Sequence, residues 1–223
     1  MKKKQLELKI KVKRYAINIL TIITITALTG CASMVAPYRL DEPRLAPVDS
    51  ADITEEMISS LAVDPEVAAG RVDLNLFRTM MNNTELMNNW RYFGDYVNSS
   101  PSISNRDREL LIMRMAWLYY AEYEWAIHYS GALNAGLTEE QIQATKIGPD
   151  AAIWNEFDRA WVSATDELYE NAFISDENWE VLKTRYSQPD LMVMLAIAAH
   201  YHMVAMVTNT LGVEVDSRLT KRF

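Results

Sequence analysis

The chain has 223 residues, 49% of them hydrophobic and only seven of them glycine, with a formal net charge of −8. So apolar a composition excludes a disordered tail. The one cysteine, Cys31, excludes an internal disulfide framework.

Seven of the first fourteen residues are basic (Lys2, Lys3, Lys4, Lys9, Lys11, Lys13 and Arg14), and one, Glu7, is acidic. An apolar run over residues 15–28 follows, ending in Leu28-Thr29-Gly30-Cys31. A cationic start, a short apolar stretch and a small-residue exit make up a secretory signal over residues 1–30. As a helix, residues 15–30 span roughly 24 Å, short of a ~30 Å hydrocarbon core, so a permanent transmembrane helix is the weaker reading. Its removal takes away seven cations and one anion, leaving 193 residues near a net charge of −14. That is enough for one domain with its own core. It leaves no basic patch for nucleic acid.

The exit Leu28-Thr29-Gly30-Cys31 resembles the lipobox of bacterial lipoprotein signal peptides. There, cleavage precedes the cysteine and its sulfur takes a diacylglyceryl group. Several acyl chains anchor stably where one is marginal. Ala32 after the cysteine resembles outer-membrane sorting, facing the periplasm, if the cell is Gram-negative. Residues 31–50, with Pro37, Pro43 and Pro47 and no helical period, read as a tether to a helical body over residues 51–223.

From Leu74 onward the pattern is helical. Asn83-Thr84-Glu85 offers an N-cap for a segment to about Val97, with Leu86, Trp90, Phe93 and Tyr96 at three- and four-residue spacing. Ser104-Asn105 starts the next, where Leu110, Met113, Trp117 and Tyr120 keep the period. Gly136 ends a helix and Thr138-Glu139-Glu140 begins another. Residues 154–171, 175–186 and 189–211 complete the set. Residues 191–207 are apolar on nearly every face, which predicts the buried central helix. The fold class is all-α, and the six tryptophans and twelve methionines are accounted for by core packing.

The candidate chemistry starts from three histidines, His128, His200 and His202. Glu124 precedes His128 by four residues, so the pair shares a helical face. A carboxylate beside an imidazole holds its tautomer and raises its basicity, as general-base chemistry requires. The flanking Tyr123 and Trp125 suggest partial desolvation and perturbed pKa values. The bland reading of the same spacing is a surface or packing pair. His202, in the most apolar helix, reads either as a hydrogen-bonded core residue or as the lining of a pocket, with Asn209 on the same face. His200 is rotated some 200° away and is expected to point elsewhere. Glu124, His128 and His202 also offer an N/O set for a divalent ion, a weak motif on spacing alone.

Arg108-Glu109-Leu110-Leu111-Ile112-Met113-Arg114, Glu122-Tyr123-Glu124-Trp125 with His128, and Ala135-Gly136-Leu137-Thr138 resemble the carboxymuconolactone decarboxylase family. Asn75-Leu76-Phe77, Tyr201-His202-Met203-Val204-Ala205 and Leu211-Gly212-Val213 fit it too, so the resemblance spans about residues 70–213. It implies an alkylhydroperoxidase-like helical fold that assembles as a homo-oligomer (dimer, trimer or hexamer), with a site on its central helical pair. The alkylhydroperoxidase branch uses Glu, then Cys-x-x-Cys, then His. Glu109 and His128 match its outer members, but Ala121 and Glu124 occupy the cysteine positions. Without those thiolates, disulfide-cycling peroxide reduction is not expected. The decarboxylase branch uses neither metal nor organic cofactor.

The resemblance thus implies a cofactor-free lyase or isomerase acting on a small carbonyl or lactone acid. His128 would be the general acid or base, with Glu124 orienting it or sharing its proton. His202 would polarise the carbonyl, and Glu109 would be a relay or an arginine partner. Tyr123, Trp125 and Asn209 would line the substrate. The competing expectation is a non-catalytic binding or scaffold lipoprotein. The anchor is tested separately: Cys31→Ser should abolish lipid labelling and move the protein out of the membrane fraction, and retained acylation would refute it.

Overall fold

The computed structural model describes residues 40–62, 64–219 and 223. The signal segment, Cys31 and the start of the tether lie outside these residues. Among them the order is α1 (Glu55–Leu61), α2 (Pro65–Arg71), α3 (Asn75–Met80), α4 (Thr84–Ser99), α5 (Asn105–Leu118), α6 (Glu122–Asn134), α7 (Glu139–Ala144), α8 (Glu156–Asn171), α9 (Asp176–Leu182) and α10 (Gln188–Leu211). No strand occurs among the described residues.

The helix starts are set by local side chains. Asn83 caps α4 through the Leu86 amide, Ser104 caps α5 through Asp107, and Asn155 caps α8 through Asp158. Thr138 with Gln141, and Ser187 with Asp190, form reciprocal capping boxes at α7 and α10. At the far end of α10, Gly212 adopts φ 73°, and a Cβ there would sit 3.1 Å from Leu40 and Pro43.

The central helix is α5, not the long apolar segment near the C-terminus. Every residue from Leu110 to Ala116 is buried, and α5 packs against α6, α8 and α10. α10 keeps one face in solvent, where Met192 is 68% and Met206 51% exposed. A helix apolar all round gives no phase to say which side faces in. On α4 the buried row is Met87, Arg91, Gly94 and Val97, while Leu86, Phe93 and Tyr96 are exposed. Of the row expected to face the core, only Trp90 is partly covered.

Residues 40–50, expected as part of the tether, lie along the body. The Arg44 amide donates to the Leu211 carbonyl, the Val48 amide donates to the Arg78 carbonyl, and Arg78 donates back to the Val48 carbonyl. Helices α5, α6, α8, α9 and α10 share the larger core. A smaller one joins α1 to α4 with Tyr123 and Val204.

The N-terminus of α3 has no cap of its own. Asp216, in the segment after α10, supplies it by accepting from the Asn75 amide at 3.0 Å. Its other oxygen accepts from the Tyr123 hydroxyl at 2.9 Å, and that hydroxyl accepts from the Leu76 amide at 3.3 Å. Asp216→Ala should therefore cost about 1–3 kcal/mol of stability by orphaning a buried hydroxyl and a helix-end amide. Combined with Tyr123→Phe in a double-mutant cycle, the two losses should be less than additive; additive losses in denaturant titrations would refute the linkage.

Candidate active site

A cavity of about 200 Å³ opens where the two cores meet, walled by α3, α4, α6 and α10. Leu76, Phe77, Met87, Ile127 and Val204 make it apolar, and Glu124, His128, His200, Trp90 and Arg91 bring polar atoms to it.

Its acidic end is built by the α5–α6 hairpin. The chain reverses at Tyr120, which takes φ 51°, and the Ala121 amide closes the turn on the Ala116 carbonyl. α6 then runs back along α5, which brings Glu109 opposite His128 and Gly131. A Cβ on Gly131 would stand 3.4 Å from a Glu109 oxygen, so the glycine leaves that carboxylate its room. Glu109 Oε2 lies 3.0 Å from His128 Nδ1, a hydrogen bond that fixes the tautomer and leaves Nε2 basic. Across from it, Glu124 Oε2 lies 3.9 Å from Nε2. That gap is too long for a direct hydrogen bond. Glu109, rather than Glu124, is thus the group that orients His128, and among the described residues no arginine pairs with it.

Glu124 is 2% exposed and its Oε1 has no partner among the described residues. Burial, reinforced by the charge on Glu109 and opposed by His128, pushes its carboxyl up to about 7. For His128 burial pulls downward, but the charge and hydrogen bond of Glu109 and the charge of Glu124 outweigh it, and the net shift is upward. Tyr201 stacks edge-on against the His128 ring and donates to Asn98 Oδ1 at 2.6 Å.

The structure brings together Glu109, Glu124 and His128 but not the other expected site residues. His202 is solvent-exposed and stacked on Tyr119, with ring centroids 4.6 Å apart. It therefore joins neither the cavity nor a ligand set with Glu124 and His128. Asn209 donates to the Tyr119 carbonyl, tying the end of α10 to the hairpin turn. Tyr123 is committed to Asp216, and Trp125 packs in the core against Trp117 and Tyr129.

The histidine that does line the cavity is His200. Its ring packs on Trp90 and Phe93, and its Nδ1 has no partner among the described residues. Burial, with the His128 charge adding, lowers it to about 4, so it is a neutral imidazole. Gly94 makes room for it, since a Cβ there would stand 3.1 Å from its Cε1. Arg91 and His200 were the residues that sequence reasoning missed. The available signal was an arginine and a glycine in helical register with Met87 and Val97.

Residues 84–165 match the model of the Carboxymuconolactone decarboxylase family, a segment that runs from the start of α4 into α8. Glu109, Glu124 and His128 all fall inside the matched segment. The fold is similar to the putative antioxidant defence protein AhpD, Atu0492, from Agrobacterium tumefaciens, at 16% identity and TM-score 0.58 over 62% of this chain and 96% of that one. It is also similar to an uncharacterised peroxidase-related protein with an alkylhydroperoxidase AhpD core from Ralstonia eutropha JMP134, at 13% identity and TM-score 0.67, over 78% and 93%. A third similar structure is a single-site variant of the debrominase Bmp8 in complex with 2,3,4-tribromopyrrole, at 15% identity and TM-score 0.62, over 78% and 91%. At such identities the likeness is one of fold. No curated protein matches the chain by sequence.

The raised Glu124 pKa carries a stability consequence with a definite sign. Between its ordinary value of 4.5 and about 7, the folded chain keeps a proton that the unfolded chain has lost. Its contribution is therefore full at low pH and lost as pH rises through about 7. Glu124→Gln lacks this term. The melting temperature of the variant minus that of the native protein should thus rise between pH 5 and pH 8, and a flat or falling difference would contradict the buried carboxyl.

Proposed function

We propose that the chain is an enzyme moving a proton on a small carbonyl or lactone compound, without a cofactor, as the family resemblance implies. The observation that carries this reading is Glu124, a buried carboxyl near pKa 7 with one free oxygen, facing the basic nitrogen of His128 across 3.9 Å inside an apolar cavity. A general acid or base works best with a pKa near the working pH.

In its ionised form Glu124 removes a proton from the carbon beside a carbonyl, and the bonding pair moves onto the carbonyl oxygen. His200, neutral and with an unpartnered ring nitrogen, takes over the role expected of His202 by donating to that oxygen. His128, held by Glu109, takes that proton from Glu124 at Nε2, which leaves Glu124 ionised again, and delivers it to a different carbon or back to the first. In a decarboxylation the same enolate forms by loss of carbon dioxide, and the protonated Glu124 then supplies the proton. Lyase and isomerase outcomes differ only in which bond yields the electron pair.

Thiol peroxidase activity is not part of the proposal. Ala121 and Glu124 stand at the thiol positions of the alkylhydroperoxidase pattern, and the sequence has a single cysteine, at position 31. The enzyme works, in this reading, as a membrane-anchored lipoprotein and homo-oligomer. The second reading, a binding protein without turnover, draws on the same open polar atoms in the cavity, which receive a ligand whether or not it reacts.

The full-length protein in detergent should be screened against lactones, β-keto acids and ketones, with deuterium uptake from heavy water as the readout. On any turned-over substrate, His128→Ala should lower the rate by ~10²–10⁴-fold with little change in melting temperature. Glu124→Gln removes the proton-abstracting group itself, so it should lower the rate by a comparable factor on the same substrate. Variants that lose about 1–3 kcal/mol of stability yet keep full turnover would identify a packing pair instead.

A further inference from the structure

We propose that the cavity takes an anion, a small single-ring carboxylate, whose carboxylate is gripped by Arg91 and the indole N–H of Trp90 on the α4 wall. The proposal rests on the reaction above only for which end of the ligand faces Glu124.

The first observation is a buried guanidinium with an open nitrogen. Arg91 is 7% exposed, and its Nε and Nη2 go to neutral acceptors, Asn88 Oδ1 and the Tyr92 hydroxyl. Its Nη1 has no partner among the described residues. The other deeply placed arginines are answered. Arg108 is ringed by the carbonyls of Val97, Ser100 and Ile103 together with Asn105. Arg114 pairs with Asp166 and the Thr145 carbonyl. Arg71, on the same cavity, pairs with Asp95 and the Leu61 carbonyl. No carboxylate stands within ion-pair distance of Arg91 among the described residues. A buried cation of this kind is completed by an anion from outside.

The second observation is where the open atoms cluster. Six buried side-chain polar atoms lack partners among the described residues. Four of them, Trp90 Nε1, Arg91 Nη1, Glu124 Oε1 and His200 Nδ1, belong to residues lining this one cavity. Two neighbouring residues of α4 thus bring only donors, which suits an acceptor with two oxygens. The rings of Phe77, Trp90, His200 and Tyr201 offer flat walls to a ring between them. The Arg91 guanidinium is itself held in orientation over the Tyr92 ring at 4.2 Å. Glu124 adds little repulsion, because its raised pKa leaves it uncharged below about 7.

The test uses benzoate, benzamide and inorganic phosphate, titrated calorimetrically into the full-length protein in detergent. Benzoate should bind at least about tenfold more tightly than benzamide, which keeps the ring and loses the charge. Arg91→Met should remove that preference, and Glu124→Gln should retain it. Benzamide binding as well as benzoate, or no benzoate binding, overturns the proposal even if Arg91→Met fails to fold. Phosphate binding as tightly as benzoate overturns the carboxylate assignment in favour of a general anion site. Benzoate has no hydrogen on the carbon beside its carboxyl, so its binding is read apart from turnover. A benzoate preference without deuterium uptake on any substrate sinks the proton-transfer reading and leaves the anion anchor standing.

Discussion

The hydrogen bond from His128 to Glu109 depends on where one hairpin turns. α5 and α6 reverse at Tyr120, and moving that turn by one residue would rotate His128 by roughly 100° away from Glu109. The turn is bought with a non-glycine residue in the left-handed region, a conformation that costs of order 1–2 kcal/mol. Tyr120 is kept there by two amide bonds across the turn and by its ring contacts with Trp117 and Phe223. The Glu109–His128–Glu124 arrangement follows from that register. With Nδ1 committed to Glu109, the basic nitrogen faces Glu124, and Glu124 is left without a direct hydrogen bond to the imidazole it faces.

Away from the cavity the same protein treats buried charge conservatively. Asp107 is 1% exposed and is met by Arg106, Arg185 and the Tyr186 hydroxyl. Asp158, equally buried, is met by both terminal nitrogens of Arg106. An orphaned buried polar group costs about 1–3 kcal/mol, and more if charged. Four such atoms around one apolar space are thus a large local cost in a fold only marginally stable overall. Against the satisfied networks around α5 and α8, a packing accident is the weaker account of that concentration.

The sequence made the helices legible and their faces only partly so. Caps such as Asn83, Ser104, Thr138 and Ser187 act within three residues, so they can be read without knowing the fold. Which side of α4 turns inward depends on its partners, and the more conspicuous row of Leu86, Phe93 and Tyr96 faces out. α10 misled in another way. Its apolar residues surround the helix, so no stripe distinguishes His200 from His202, and only the packed structure shows which imidazole enters the cavity. Glu124 and His128 were visible because an i, i+4 pair needs only the helix. Glu109, nineteen residues from its partner, needed the hairpin.

The cavity is assembled from residues inside and outside the segment that matches the family. Glu109, Glu124, His128, Trp90 and Arg91 all lie within the segment that matches the family, whereas Leu76, Phe77, His200, Tyr201 and Val204 lie outside it. The carboxylates and the imidazole they hold are fixed by the α5–α6 register, but the opposite walls are free to change without disturbing it. α3 is the least self-sufficient of those walls. It has six residues, no cap of its own, and a first turn held by a carboxylate 141 positions away. A helix so short is marginal alone, so its position follows Asp216 and the Tyr123 hydroxyl beneath it. The segment after α10, with no atom in the reactive group, therefore helps to set the shape of the space beside Leu76 and Phe77. The Glu109–His128–Glu124 group and the apolar wall at Leu76 and Phe77 are separable in this fold because different elements carry them.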